Sequence, residues 1–99
     1  MNLLEKHHID IQRLCIKYNV CQLYAFGSVL TQQFKESSDV DLIVNFDIIK
    51  ISDYAGNYYS LKFALEHVFE RPVDLLEETA LKNPYFIRSI TEQRQLVYG

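Results

Sequence analysis

The chain has 99 residues, with 10 basic and 13 acidic side chains for a formal net charge of −3, and 48% of its residues are hydrophobic. This composition excludes a disordered, collagen-like or low-complexity chain, and the length predicts a single domain over residues 1–99. The negative charge argues against nucleic acid as a partner, because there is no overall positive field to attract a phosphate backbone.

The first half of the chain predicts a helix followed by two strands. Apolar residues at three- and four-residue steps predict an amphipathic helix over Asn2–Tyr18. Val20–Phe26 is rich in β-formers and leads into Gly27, which favours a strand that turns sharply, with a short helix over residues 28–34. Val40–Phe46 is almost continuously apolar, which is typical of a central strand covered on both faces.

The second half predicts two helices, each followed by a strand. The predicted elements are a helix capped by Ser52 or Asp53 that reaches Arg71-Pro72, a strand over Val73–Leu76, a helix from Asn83-Pro84 to about Glu92, and a strand over Gln95–Tyr98. This order predicts a mixed α/β fold, with a small mixed β-sheet and helices packed mainly on one face.

Two groups of residues carry candidate chemistry. Gly27 lets the backbone turn tightly and approach a ligand, and Ser28 at a helix start can donate a hydrogen bond to a phosphate. Asp39 and Asp41 are two residues apart on a predicted strand, so both carboxylates project from one face. Mg²⁺ prefers one or two protein carboxylates together with phosphate oxygens. The segment therefore predicts a phosphate cradle beside an acidic pair that grips a divalent cation.

Asp74, on the next predicted strand, is the candidate for a third carboxylate. Glu77 and Glu78 lie nearby and are interpreted as the entry to a helix or loop. In two-metal phosphoryl transfer, ions about 3.5–4 Å apart stabilise the attacking oxygen and the leaving pyrophosphate. The third acid then binds the second metal or takes the hydroxyl proton, and we assign Asp74 the second role.

Gly27-Ser28, a spacer of ten residues, and Asp39-Val40-Asp41 followed by apolar residues form one continuous pattern. With this pattern, the chain resembles the minimal nucleotidyltransferases of the DNA polymerase beta superfamily, and the resemblance covers nearly the whole chain. It implies a palm-like fold, Mg²⁺ as two ions, and ATP or another nucleoside triphosphate as donor. It also implies phosphate contacts from Gly27 and Ser28, and metal ligands at Asp39, Asp41 and Asp74.

The chain departs from this family just after the Gly-Ser pair. Family members often carry a basic residue and a glycine there, whereas this chain has Thr31-Gln32. The loss of a cationic phosphate contact removes a partner for charge that develops in the transition state, which bears on the catalytic rate and on activity itself. Arg71 and Lys35 are the candidates to replace it.

The resemblance implies transfer of AMP or another nucleoside monophosphate to an acceptor hydroxyl, with release of pyrophosphate. Stand-alone members are similar to antitoxins that pair with an α-helical HEPN toxin and modify a tyrosine on it, so a HEPN-type partner is expected. Two alternatives stay open. One is a non-catalytic antitoxin that covers the toxin, and the other is a small-molecule nucleotidyltransferase whose cleft forms in a homodimer.

The remaining residues of interest are assigned structural roles. The sequence contains no predicted signal peptide or membrane span, so we expect a cytoplasmic protein in which Cys15 and Cys21 are reduced thiols. Tyr54 and Tyr58 share the helical spacing of a buried stripe and are expected to pack in the core. Tyr59 is expected to face outwards, towards a partner.

Overall fold

The structure, a computed structural model, describes residues 3–31, 35 and 37–99. In this part of the chain the helices are α1 (Leu3–Lys6), α2 (His8–Lys17), α3 (Tyr54–Phe69) and α4 (Pro84–Gln93), and the strands are β1 (Val20–Phe26), β2 (Val40–Phe46), β3 (Val73–Glu77) and β4 (Gln95–Tyr98). The predicted bounds of β1, β2 and β4 are confirmed, and β3 extends one residue further than predicted.

The strands form one mixed sheet in the order β3-β2-β1-β4. β1 pairs antiparallel with β2 and with β4, whereas β2 and β3 run parallel. A parallel pair needs a crossover connection, and α3 supplies it between β2 and β3. The mixed α/β fold predicted from the order of elements is therefore confirmed.

One face of the sheet is covered by α1, α2 and α3. Apolar residues of these helices and of the strands form the main core, which includes Leu4, Ile11, Cys15, Leu23, Ala25, Val40, Leu42, Val44, Leu61, Leu65, Phe69, Val73 and Leu75. The alternation of side chains along a strand places Leu42 and Val44 in this core and Ile43 on the opposite face.

The opposite face is covered in part by α4. Phe86 of α4 makes an edge-to-face contact with Phe26 of β1, and Arg94, just after α4, lies 3.9 Å above the ring of Tyr24. Arg94 also forms an ion pair of 3.0 Å with Glu78. Ile43 is fully buried on this side, which agrees with the prediction of a central strand covered on both faces.

The structure corrects two predicted elements. The single helix expected over Asn2–Tyr18 is wrong at His7, where the backbone leaves helical geometry (φ −106°, ψ 19°) and the ring packs edge-to-face on Phe69. The short helix expected over residues 28–34 is instead a 3₁₀ turn over Gly27–Leu30, closed by a bond from the Thr31 N–H to the Ser28 carbonyl. Residues 32–34, like Asn2, lie outside the described residues.

Side-chain caps start the two later helices as predicted. The Asp53 carboxylate accepts from the Gly56 N–H at the start of α3, and the Asn83 side chain accepts from the Tyr85 and Phe86 N–H groups at the start of α4. No helix in the described ranges combines the length and apolarity needed to cross a membrane.

Candidate active site

Strand pairing brings the three predicted acids to one end of the sheet. Asp41 of β2 is in register with Asp74 of β3, and partners in a register project from the same face. Asp39 lies one residue before β2 rather than inside it, two positions from Asp41. Asp39 and Asp74 are exposed, whereas Asp41 is partly buried.

Gly27 lies directly against the Asp41 carboxylate. It follows Phe26, which is the β1 residue in register with Asp41, and its φ of +73° is in the left-handed region. A Cβ atom at this position would lie only 2.5 Å from Asp41 Oδ2. Both the turn and the close approach therefore require glycine, and Ser28 follows in the 3₁₀ turn.

Negative charge accumulates at Asp41. Burial raises the pKa of its carboxyl, and the charges of Asp74 and Asp39 raise it further. The three carboxylates therefore interact electrostatically, and a bound cation would relieve their repulsion. Because hard oxygen ligands are the ones that Mg²⁺ selects, the chemistry of this donor set fits that ion.

The acids are not already gathered around a common centre. Among the described residues, no three His, Cys, Asp or Glu side chains lie in positions that could jointly hold a metal ion. Mg²⁺ is usually held by one or two carboxylates together with substrate phosphates, so a pair of acids beside a phosphate cradle meets its needs.

The segment before Asp39 is anchored by Arg71. Arg71 Nη1 donates to the Lys35 carbonyl at 2.9 Å and to the Ser38 carbonyl at 3.3 Å. The Val40 N–H donates to the Pro72 carbonyl at 3.1 Å, which extends the pairing of the two strands. Arg71, which the sequence suggested as a replacement phosphate contact, thus holds the loop that leads into the acidic pair. Gln32, one of the two residues that replace the basic residue and glycine of the family, lies outside the described residues.

Two tyrosines of α3 support β3, a role that sequence reasoning missed. The Tyr58 hydroxyl donates to the Leu75 carbonyl at 2.5 Å, and the Tyr54 hydroxyl donates to Glu77 Oε2 at 2.7 Å. Both rings pack against the core as predicted. The sequence did hold a clue to this role, because a tyrosine hydroxyl that is buried usually needs a hydrogen-bond partner. Here β3, which lies against α3, supplies the partners.

Glu77 and Glu78, the acids next to Asp74 in sequence, are engaged elsewhere. Glu77 is three residues from Asp74 along β3, so it faces α3, where it accepts from Tyr54. Glu78 is paired with Arg94. Asp74 is therefore the acid of this segment that is in register with Asp41 and has no such partner among the contacts described.

Comparison with protein families identifies the class of this site. The profile described as "Nucleotidyltransferase domain" matches residues 11–97, which is most of the chain. The chain belongs to the nucleotidyltransferase domain family. The predicted class of enzyme, a nucleotidyltransferase, is confirmed by this match and by the names of its relatives.

Two similar proteins align with nearly the whole of this nucleotidyltransferase. "Putative protein adenylyltransferase MJ0128" of Methanocaldococcus jannaschii is 33% identical over 97 residues, which cover 98% of this chain and 91% of the relative. A solved structure described as a "putative minimal nucleotidyltransferase" has a TM-score of 0.76 and 27% identity, and the match covers 96% of this chain and 95% of the other.

The fold also occurs in a toxin–antitoxin complex. A structure of tri-AMPylated Shewanella oneidensis HEPN toxin in complex with MNT antitoxin contains a chain that matches with a TM-score of 0.67 and 17% identity. The match covers 97% of this nucleotidyltransferase and 72% of that chain. At this identity, the likeness shows a shared fold.

Proposed function

We propose that this nucleotidyltransferase moves AMP from ATP to a tyrosine hydroxyl of a HEPN-type toxin and is thereby the antitoxin of a toxin–antitoxin pair. The observation that carries the proposal is the position of Asp41, which is in register with Asp74 on one side and in contact range of Gly27 on the other. A triphosphate bound at the Gly27 turn would therefore lie next to the Asp41 carboxylate.

In this proposal the residues divide into donor and acceptor roles. Gly27 and Ser28 would contact the triphosphate, and Asp39 and Asp41 would hold Mg²⁺ together with phosphate oxygens. The bound Mg²⁺ ions would offset the negative charge of the phosphates and of the leaving pyrophosphate. The acceptor oxygen attacks the α-phosphorus, the bond to the bridging oxygen breaks and pyrophosphate leaves. Asp74 accepts the proton from the acceptor hydroxyl.

The choice of donor and acceptor is supported by the similar proteins. The name of the M. jannaschii relative specifies adenylyl transfer to protein, and a chain of the same fold occurs in a complex with an AMPylated HEPN toxin. We place the reaction in the cytoplasm, in keeping with the unpaired thiols of Cys15 and Cys21.

The test is labelling of a purified HEPN-type toxin with Mg²⁺ and ATP that is radiolabelled at the α-phosphate, the phosphate that is transferred with the nucleoside. We expect the wild-type chain to label the toxin, and we expect Asp41→Asn to reduce the labelling rate at least 100-fold, because the central carboxylate is lost. Asp47→Asn is the matched control, since Asp47 pairs with Lys50 beyond the far end of β2. Absence of label on the toxin with the wild-type chain would refute the proposed transfer.

A non-catalytic antitoxin is the second candidate, and it is favoured by Thr31-Gln32 in place of a basic residue. The Thr31 hydroxyl donates to the Ser28 carbonyl at 2.9 Å. The double variant Asp39→Asn/Asp41→Asn separates the two candidates in cells that express the toxin. Undiminished protection by this variant would show that binding alone neutralises the toxin.

A further inference from the structure

Two aromatic rings lie beside the acidic site. Phe26 is the last residue of β1, precedes Gly27 and is in register with Asp41. The ring of Phe86, from the first turn of α4, meets it edge-to-face, with centroids 6.3 Å apart and an interplanar angle of 82°. Phe86 is 40% exposed. The pair therefore forms a partly exposed aromatic surface, and its Phe26 member adjoins Gly27 and Asp41.

The backbone of Phe86 belongs to the capped first turn of α4. Its N–H donates to the Asn83 side chain at 3.2 Å, within the cap that starts α4. An aromatic ring that is exposed beside a phosphate site offers a planar surface for stacking. Any nucleobase can stack on such a ring, because every base has a π-face.

We propose that the Phe26–Phe86 pair is the subsite for the base of the nucleoside triphosphate donor. This inference rests on the donor site of the proposed function and adds how the nucleoside end is held. The triphosphate would lie at Gly27 and Ser28, and the base would stack on Phe86.

The acceptor side chain is the other group that could bind at the aromatic pair, but in the proposed function it lies on the other side of Asp41. Asp74, which takes the acceptor proton in the proposed function, is on β3, whereas Phe26 is on β1 and β2 lies between them. Two strand spacings separate Phe26 from Asp74, about 10 Å. The aromatic pair is therefore on the donor side, next to the Gly27 turn.

The absence of tryptophan from the chain allows a direct test. Phe86→Trp places a single tryptophan at the proposed subsite, and its emission can be excited selectively over that of the seven tyrosines. Phe63→Trp is the matched control, since Phe63 is an exposed phenylalanine of α3 on the covered side of the sheet. With Mg²⁺ present, we expect ATP to quench the fluorescence of Phe86→Trp and tripolyphosphate to leave it unchanged. We expect neither compound to quench Phe63→Trp.

Binding measurements with Phe86→Ala complete the test. We expect the affinity for ATP to fall about tenfold, as for loss of one stacked base, while the affinity for tripolyphosphate is unchanged. Equal losses for both compounds, or no loss for ATP, would overturn the inference. So would unchanged ATP binding combined with impaired transfer to the toxin, which would assign the rings to the acceptor.

These outcomes are distinct from failure of the proposed function. A wild-type chain that binds ATP but labels no toxin refutes the proposed acceptor and leaves the base subsite standing. A wild-type chain that binds neither ATP nor tripolyphosphate refutes the donor site, and the base subsite with it.

Discussion

Asp41 illustrates how a single residue can oppose folding in order to serve a site. Its carboxylate is partly buried beside Gly27 and is repelled by Asp74 and Asp39, so the pKa of Asp41 is raised in the folded chain. Folding is then most favoured while the group is protonated, below the unfolded pKa of about 3.9. This contribution to stability is lost as the pH rises through the folded pKa.

We therefore expect Asp41→Asn to be more stable than the wild-type chain at pH 7, because the amide keeps the shape of the carboxyl and removes the charge. The difference should shrink as the pH falls through the folded pKa of Asp41 towards about 3.9, below which the group is protonated in both states. Urea unfolding at a series of pH values measures it, with Asp47→Asn as the control variant. A less stable Asp41→Asn variant at pH 7 would contradict this expectation.

At the scale of the elements, α4 depends on its N-terminal cap. Asn83 accepts from two backbone N–H groups, those of Tyr85 at 3.0 Å and Phe86 at 3.2 Å, which otherwise have no partner within the helix. Pro84 at the first helical position lacks an N–H and is preorganised for the helix. The cap thus fixes the start of α4 and the backbone of Phe86 within its first turn.

We expect Asn83→Ala to lower the free energy of unfolding by about 1 kcal/mol, since the side-chain acceptor is lost. For a domain of this size that corresponds to a fall in Tm of about 4–8 °C. Asn83→Asp retains the acceptor and should unfold at nearly the wild-type temperature. Equal melting temperatures for Asn83→Ala and the wild-type chain would show that the cap does not contribute.

At the scale of the whole molecule, the two faces of the sheet have different tasks. The face under α1, α2 and α3 is closed by the main core, whereas the other face is covered only in part by α4 and carries the acids. The two cysteines differ in their exposure. Cys15 is fully buried, and burial raises the pKa of its thiol to about 12, whereas Cys21 is exposed on β1.

We expect a thiol reagent at pH 8 to modify one cysteine per native chain, Cys21, because the thiolate is the reactive form and Cys15 is both buried and protonated. Cys15 should react only when the core opens, at the rate of global unfolding. The variant Cys21→Ser should show no fast phase. Rapid modification of both thiols in the native chain would mean that α2 opens locally.

Much of the fold and part of the site follow from local sequence. Alternation and β-formers specify β1, β2 and β4 at their observed bounds, and Asn83-Pro84 specifies the start of α4. The spacing of Gly27, Ser28, Asp39 and Asp41 is likewise a local property, because these residues flank two consecutive strands. Such signals depend on neighbours along the chain, which is why they can be read without coordinates.

The rest was decided by tertiary contacts. The register that aligns Asp41 with Asp74 joins strands separated by α3, and no local periodicity specifies which residues of two distant strands face each other. The break at His7 accompanies its packing on Phe69, and Phe86 meets Phe26 only because α4 crosses the open face. The sequence alone determined most of the elements and the types of residue available for chemistry. The packing of the chain decided which of those residues share one face, because that depends on how distant elements dock.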